Sequence, residues 1–263
     1  MKAIIMAAGV GSRLKKQLGN QPKCCTPVGE EILIERMLRL LAGHGIRDVA
    51  LVLGYQSEVV IGRLRGKTTA RFYLNPFYNV TNSIASLWFA REELDGQDDV
   101  VILNGDLFFE PGLLDVAQAA QGEVVMLADP RRAQEADYRF GYDRGVLRRY
   151  GKNLSCEETT GEYIGVAKLR RSFVGTFRAG LEVLISAQQH TLWWEDVLYN
   201  LCATQRTIHV AEVTEAFWAE VDYIEDYDRI QAFLRNSAAR PLAEPEPIAP
   251  ALQEREARIA VAV

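Results

Sequence analysis

The sequence predicts an α/β fold: a single domain of three layers, α/β/α, on a mixed, mainly parallel sheet. Three observations carry this. Short β-type runs alternate with longer segments of helical period, as successive strand–helix units require. The strand runs are continuously apolar rather than alternating, the pattern of strands covered on both faces. The chain has 263 residues, 48% hydrophobic and 25% charged, which is globular composition at a length for one large domain.

Residues 2–6, Lys-Ala-Ile-Ile-Met, read as the first strand. Residues 32–41 space apolar side chains three and four apart, so a helix with one buried face is expected there. Residues 48–53 form a second apolar strand, followed by a helix at 57–64. A third strand at 71–74, a polar loop, a helix from about 83 to 94 and a fourth strand at 99–103 complete the first half. The second half is less regular. Strands are expected at 123–128, 146–150, 163–169 and 207–213, and helices at 172–186, 194–202 and 224–234. Beyond residue 238 the text becomes Ala-Arg-Pro-Leu-Ala-Glu-Pro-Glu-Pro-Ile-Ala-Pro, with few large apolar groups and no helical period. The chain therefore divides into a folded domain, 1–236, and a Pro/Ala/Glu-rich tail, 237–263.

Charge narrows the function. Lys and Arg total 30 against 35 Asp and Glu, a net charge of −5. A protein that gripped nucleic acid by its phosphates would carry the opposite balance. No apolar run approaches the roughly 18 residues that span a bilayer, so no membrane partner is expected. The N-terminal apolar run is too short for a signal peptide and is followed directly by Gly11, Ser12, Arg13, Leu14, Lys15 and Lys16. Cys24, Cys25, Cys156 and Cys202 form no C-x-x-C pair, and His44, His190 and His209 stand apart. Reduced cytoplasmic thiols and no His/Cys metal site are expected. The oligomeric state is open, a homodimer included.

Ala7-Ala8-Gly9-Val10-Gly11-Ser12-Arg13-Leu14 follows the first strand, with Pro22-Lys23 some nine residues on. Glycines there let backbone N–H groups approach a phosphate, and Arg13 and Lys23 bring charge to the same oxygens. A tight strand-to-helix turn uses the same glycines. A dinucleotide fingerprint fails, because Leu14 stands where a third small residue is needed and residues 15–22 are a polar loop. Asn104-Gly105-Asp106 ends the fourth strand, where an aspartate faces the ligand crevice or merely turns the chain. Asp222, in Trp218-Ala219-Glu220-Val221-Asp222, faces a ligand or caps the last helix.

Together these residues resemble the signature of the nucleoside-diphosphate-sugar pyrophosphorylases and their nucleotidyltransferase relatives, over about residues 1–236. The resemblance implies a Rossmann-like nucleotidyltransferase fold, with Gly9, Gly11, Ser12, Arg13 and Lys23 on the triphosphate and Asp106 and Asp222 on Mg²⁺. Hard carboxylate oxygens plus substrate phosphates suit that ion. The run Asn75-Pro76-Phe77-Tyr78-Asn79-Val80-Thr81-Asn82-Ser83 resembles the phosphocholine and aminoethylphosphonate cytidylyltransferase branch, as do Gly151-Lys152, Gly161-Glu162-Tyr163 and Trp193-Trp194-Glu195-Asp196. That branch implies CTP, with the base near Ala7, Ala8, Gly54, Tyr55, Asn82 and Ser83. It places Lys152 near the acceptor phosphate, and Glu162, Tyr163, Trp193, Trp194, Glu195 and Asp196 on the acceptor side. Aromatic faces and carboxylates there suit an amine-bearing acceptor, a cation over a ring gaining ~0.5–2 kcal/mol. Adjacent tryptophans on a helix point about 100° apart, so at most one of Trp193 and Trp194 is expected to face a pocket squarely. Alternatives are a sugar- or polyol-phosphate nucleotidyltransferase using UTP, GTP or another triphosphate, and a nucleotide-binding regulatory module without turnover. No general base is required, since a phosphate monoester loses its second proton near pH ~6. Catalysis would come from positioning and charge neutralisation by Arg13, Lys23, Lys152 and the metal.

Overall fold

The computed structural model describes residues 1–11, 20–202 and 206–238. The chain opens with β1 (Lys2–Ala7), buried at every position. A short 3-10 turn at Lys23–Cys25 leads to a two-residue hairpin, β2 (Pro27–Val28) and β3 (Glu31–Ile32), then to α1 (Leu33–Gly43). Next come β4 (Asp48–Leu53), α2 (Ser57–Leu64) and β5 (Arg71–Leu74), with the limits that hydrophobic patterning predicts. The helix expected at 83–94 is α3 (Ser83–Phe89) followed by a 3-10 turn at Arg91–Glu93. Glu93 is buried in that turn beneath Arg71 and Lys2, which ties it to β5 and β1. β6 (Val100–Asn104) then returns beside β1.

Besides β2 and β3, four later elements carried no legible period. β7 (Leu107–Phe109) and α4 (Gly112–Ala119) follow β6 directly. After β8 (Val124–Asp129), β9 (Arg139–Asp143) forms a hairpin with β10 (Val146–Gly151). The long β11 (Gly161–Leu169) leads to α5 (Arg171–Ser186) and α6 (Asp196–Cys202). The chain closes with β12 (His209–Glu212), β13 (Trp218–Glu220) and α7 (Ile224–Ala238). β13 pairs with β7 away from the main sheet, and three residues each are too few to show an alternation.

The main sheet has nine strands in the order β5-β4-β1-β6-β11-β8-β12-β10-β9. The first four are mutually parallel, β12 is parallel to β8, and the other pairings are antiparallel. Strand alternation divides the apolar side chains between two cores. Ala3, Ile5 and Ala7 join Leu33, Met37 and Leu41 of α1, Leu113 of α4 and Ile230 of α7 on one face. Ile4 and Met6 join Ile84 of α3, Phe177 of α5 and Leu198 of α6 on the other. Continuous apolar strands and amphipathic helices therefore settle into three layers. Parallel register sets Met6 of β1 against Asn104 of β6, and Ala7 against Leu53 of β4. The loops after β1 and β6 consequently leave the sheet side by side.

Candidate active site

At that edge lies a cavity of about 380 Å³, and both loops line it. Gly105 permits their approach. A Cβ there would lie 2.7 Å from both the Ala7 Cβ and the Met6 carbonyl oxygen, backbone and core atoms that cannot withdraw. Its N–H donates to that same carbonyl at 2.9 Å. Asp106, one residue on, is thereby carried over the end of β1. Asp222 comes in from the turn after β13, and its neighbour Val221 donates its N–H to the Asp106 carbonyl at 2.8 Å. Between the two carboxylates sits Lys23, its Nζ 3.2 Å from Asp106 Oδ2 and hydrogen bonded to Asp222 Oδ1. Burial pulls the Lys23 pKa down, but the Asp106 and Asp222 charges outweigh it and hold the ammonium above its ordinary value. At the start of α7, Asp226 accepts the Tyr223 N–H at 3.0 Å.

Behind this triad stands Glu220, two residues before Asp222. Burial, with Asp106 and Asp222 close by, raises its carboxyl well above the usual range. Asn104 donates from Nδ2 to Glu220 Oε1 at 3.5 Å and accepts the Trp194 indole N–H at 3.0 Å. A second glycine makes room for this layer. Gly165 has φ +86°, at a register shift in β11, and a Cβ on it would lie 2.8 Å from Asn104 Nδ2.

Ala7, Ala8, Gly9, Lys23, Asn82 and Ser83 line one side of the cavity. Asn82 caps α3, its Oδ1 accepting the Ser83 N–H at 2.8 Å, and Ser83 Oγ accepts the Trp194 N–H at 2.9 Å. The preceding run is held by buried Asn75, which donates to Thr81 Oγ1 at 3.0 Å and Ser86 Oγ at 2.9 Å. Its Asn-Pro…Asn-Ser pattern thus fixes a loop as well as lining the site. Gly54 and Tyr55 stand outside the lining and brace it: the Tyr55 N–H donates to the Ala8 carbonyl at 3.0 Å. Gly11, φ +62°, packs against the Lys23 stem, also outside the lining. Ser12 and Arg13 lie outside the described residues.

On the opposite side are Lys152, Glu162, Tyr163, Trp193 and Glu195. Lys152 Nζ bridges to Asp137 Oδ2 at 2.7 Å and lies 5.8 Å from the Trp193 ring centroid. Glu162 is fully engaged, with one oxygen on Arg132 Nε and the other accepting the Asp137 N–H at 2.7 Å. Burial raises its carboxyl despite both contacts. The tryptophans precede α6 (Asp196–Cys202) instead of lying on it as expected, and the turn there separates them: Trp193 is 40% exposed at the cavity, whereas Trp194 is wholly in the core, off the lining. Asp196 is also off the lining and accepts the Trp193 N–H at 2.8 Å. Glu195, only 7% exposed, is pushed up to about 8 by burial, with Asp196 adding to the shift.

The profile described as the MobA-like NTP transferase domain matches residues 3–196, which includes both loops and most of the opposite wall. The chain belongs to that family. Two relatives extend the likeness across nearly the whole chain. It is 30% identical over 252 residues to the CMP-5'-(3-aminopropyl)phosphonate synthase of Streptomyces rubellomurinus, covering 91% of this chain and 39% of that one. The chain thus spans well under half the length of that relative. It is 23% identical over 249 residues to the CTP:phosphoglutamine cytidylyltransferase of Campylobacter jejuni, covering 87% and 98% of the two chains. Among solved structures, the CTP:phosphocholine cytidylyltransferase of Streptococcus pneumoniae superposes with a TM-score of 0.71 at 20% identity, covering 89% of this chain and 98% of that one. That likeness shows the shared fold.

Within this MobA-like domain, the cavity also holds residues that sequence reasoning left unassigned. Glu220 and Asn104 stood inside quoted motifs, and the two-residue spacing of Glu220 and Asp222 was the available signal. Tyr138 and Asp137 had none, since no element was expected between the strands at 123–128 and 146–150, and Tyr199 stood in the expected helix at 194–202 outside any motif. Cys24 lines the cavity beside Lys23, and both it and Cys25 are free thiols.

Proposed function

We propose that this chain is an Mg²⁺-dependent cytidylyltransferase that joins CMP from CTP to a small phosphorylated or phosphonate acceptor bearing an amine, releasing pyrophosphate. The observation that carries the reading is Lys23 held between Asp106 and Asp222 at the strand edge, between two differently furnished walls. The two carboxylates converge on one cationic point, so hard oxygen donors are already aimed where a divalent cation would be held, and the residues fit Mg²⁺. When bound, that ion would neutralise phosphate oxygens and the charge that develops on the leaving pyrophosphate.

The chain's own residues supply the remainder. Gly9 and the Ala7–Ala8 backbone admit the triphosphate closely, and Asn82 and Ser83 offer amide and hydroxyl groups to a pyrimidine edge. Lys23, fully protonated at neutral pH, stabilises charge on the α-phosphate as the acceptor oxygen attacks. Arg13 is assigned to the β- and γ-phosphates. Lys152 receives the acceptor phosphate, whose attacking oxygen is already ionised near pH 7. The acceptor amine lies toward Glu195 and the aromatic wall. The relatives' printed activities, on an aminopropylphosphonate, a phosphoglutamine and a phosphocholine, support this choice of acceptor.

Pyrophosphate release across a panel of nucleoside triphosphates and acceptors tests the reading. CTP with an amine-bearing phosphate or phosphonate should be the fastest pair. Glucose 1-phosphate outpacing every amine would favour the sugar-phosphate alternative.

A further inference from the structure

The amine-facing wall is built from oxygen acceptors more than from open aromatic faces. The Tyr163 and Tyr199 hydroxyls are buried, with no hydrogen-bond partner among the described residues. Both residues line the cavity together with Glu195. The three groups share one neighbourhood, since the Glu195 carboxyl perturbs both phenols. Buried polar groups without partners are rare and costly, and two such hydroxyls lining one cavity with a buried carboxyl mark where a donor-rich group binds.

The rings are already occupied with one another. Tyr199 stacks on Tyr150 at 3.9 Å and 10°, and on Tyr138 at 6.1 Å and 8°. Tyr163 stacks on Phe140 at 5.0 Å and 21°. Trp193 takes the Tyr138 ring edge-on at 5.6 Å and has the Lys152 ammonium over it. A quaternary ammonium has no N–H and is held by free ring faces. Entering here, it would leave the Tyr163 and Tyr199 hydroxyls unsatisfied and offer Glu195 no N–H. A primary ammonium carries three donors.

We infer that the acceptor carries a primary ammonium, whose three N–H groups are taken by the Glu195 carboxyl and the Tyr163 and Tyr199 hydroxyls, and that these oxygens select it over a quaternary amine. The inference rests on the amine-acceptor reading above and narrows it to one amine class. Sites that hydrogen bond a substrate group reject analogues lacking it far more strongly than apolar pockets reject a methyl group.

The test compares four matched acceptors with CTP: phosphoethanolamine, its N-methyl and N,N-dimethyl derivatives, and phosphocholine. The wild-type kcat/KM should fall at each methylation, by about 100-fold across the series, as two or more buried acceptors lose their donors. Tyr163→Phe and Tyr199→Phe remove only a hydroxyl. Each should raise KM for phosphoethanolamine about 10-fold at nearly constant kcat, and leave phosphocholine within about 3-fold. Unchanged near-ultraviolet circular dichroism would show that both variants keep the native packing. Phosphocholine as good as phosphoethanolamine, or a selectivity untouched by both tyrosine variants, would overturn the inference alone. Failure of all four acceptors with every nucleoside triphosphate would overturn the proposed function, and the inference with it.

Discussion

Replacing Lys23 with methionine keeps the length of the stem and removes only the charge. The ammonium contacts Asp222 Oδ1 and lies 3.2 Å from Asp106 Oδ2, so the variant leaves two converging carboxylates without their cation. During turnover it removes a preorganised donor aimed at developing charge, a loss of about 10²–10³ in kcat, or about 2.7–4 kcal/mol. The pH dependence follows from the sign of the Lys23 shift. Its pKa is raised above the ordinary lysine value, so the charge is fully present below that value and is lost only on the alkaline side. The deficit should therefore be flat from about pH 6 to 9. A second consequence is visible without chemistry. On the proposed metal assignment, Lys23 occupies the position of the divalent cation, so Mn²⁺ alone, followed by electron paramagnetic resonance without nucleotide, should bind the methionine variant at least about 10-fold more tightly. Steady-state kinetics at saturating CTP and Mg²⁺ supply the rate. A variant with near-normal kcat and a raised KM for CTP would place Lys23 in ground-state binding and refute this account of its role.

Glu195→Gln should raise KM for an ammonium-bearing acceptor far more than for a neutral polyol phosphate, most of all above about pH 8, where the carboxyl is ionised. The same change should flatten the pH dependence of stability: folded Glu195 keeps its proton up to about pH 8, so its contribution to stability is present at low pH and is lost between the ordinary carboxylate range and about 8. Thermal melts from pH 5 to 8 should show that fall in the wild type and a smaller one in the variant. Gly105→Ala forces a Cβ to within 2.7 Å of the Ala7 Cβ and the Met6 carbonyl, which should cost about 1–3 kcal/mol in denaturant melts and lower activity with it. Truncation after Asn236 should preserve kcat, and a large loss with intact folding would show that the tail closes the site or joins subunits.

Much of the fold was legible because its signals are local. Continuous apolar runs mark β1, β4 and β6, and the 3–4 spacing of Leu33, Met37, Leu40 and Leu41 marks α1. The run Ala7-Ala8-Gly9, then Lys23, Asp106 and Asp222, was legible as a set because each follows a strand or precedes a helix where ligands collect. What could not be read depends on long-range contacts. β7 and β13 are strands only because they pair with each other, 107–109 against 218–220. Glu162 looked like free charge until Arg132 and the Asp137 N–H took both its oxygens. Trp194 looked like a candidate for the acceptor wall until its indole proved to be buried on Asn104. Tyr138 and Tyr199 join the cavity only once β9 and α6 close around it.

The most direct measurement follows CTP and phosphoethanolamine with the full chain by phosphorus NMR, beside Asp106→Asn and Asp222→Asn. The wild type should yield equimolar pyrophosphate and a CMP-linked diphosphate diester. Both variants should be folded, with rates lower by several orders of magnitude. Either variant turning over near the wild-type rate at saturating Mg²⁺ would contradict the metal assignment. A wild type that releases no pyrophosphate from any nucleoside triphosphate with any phosphate or phosphonate acceptor would contradict the function itself.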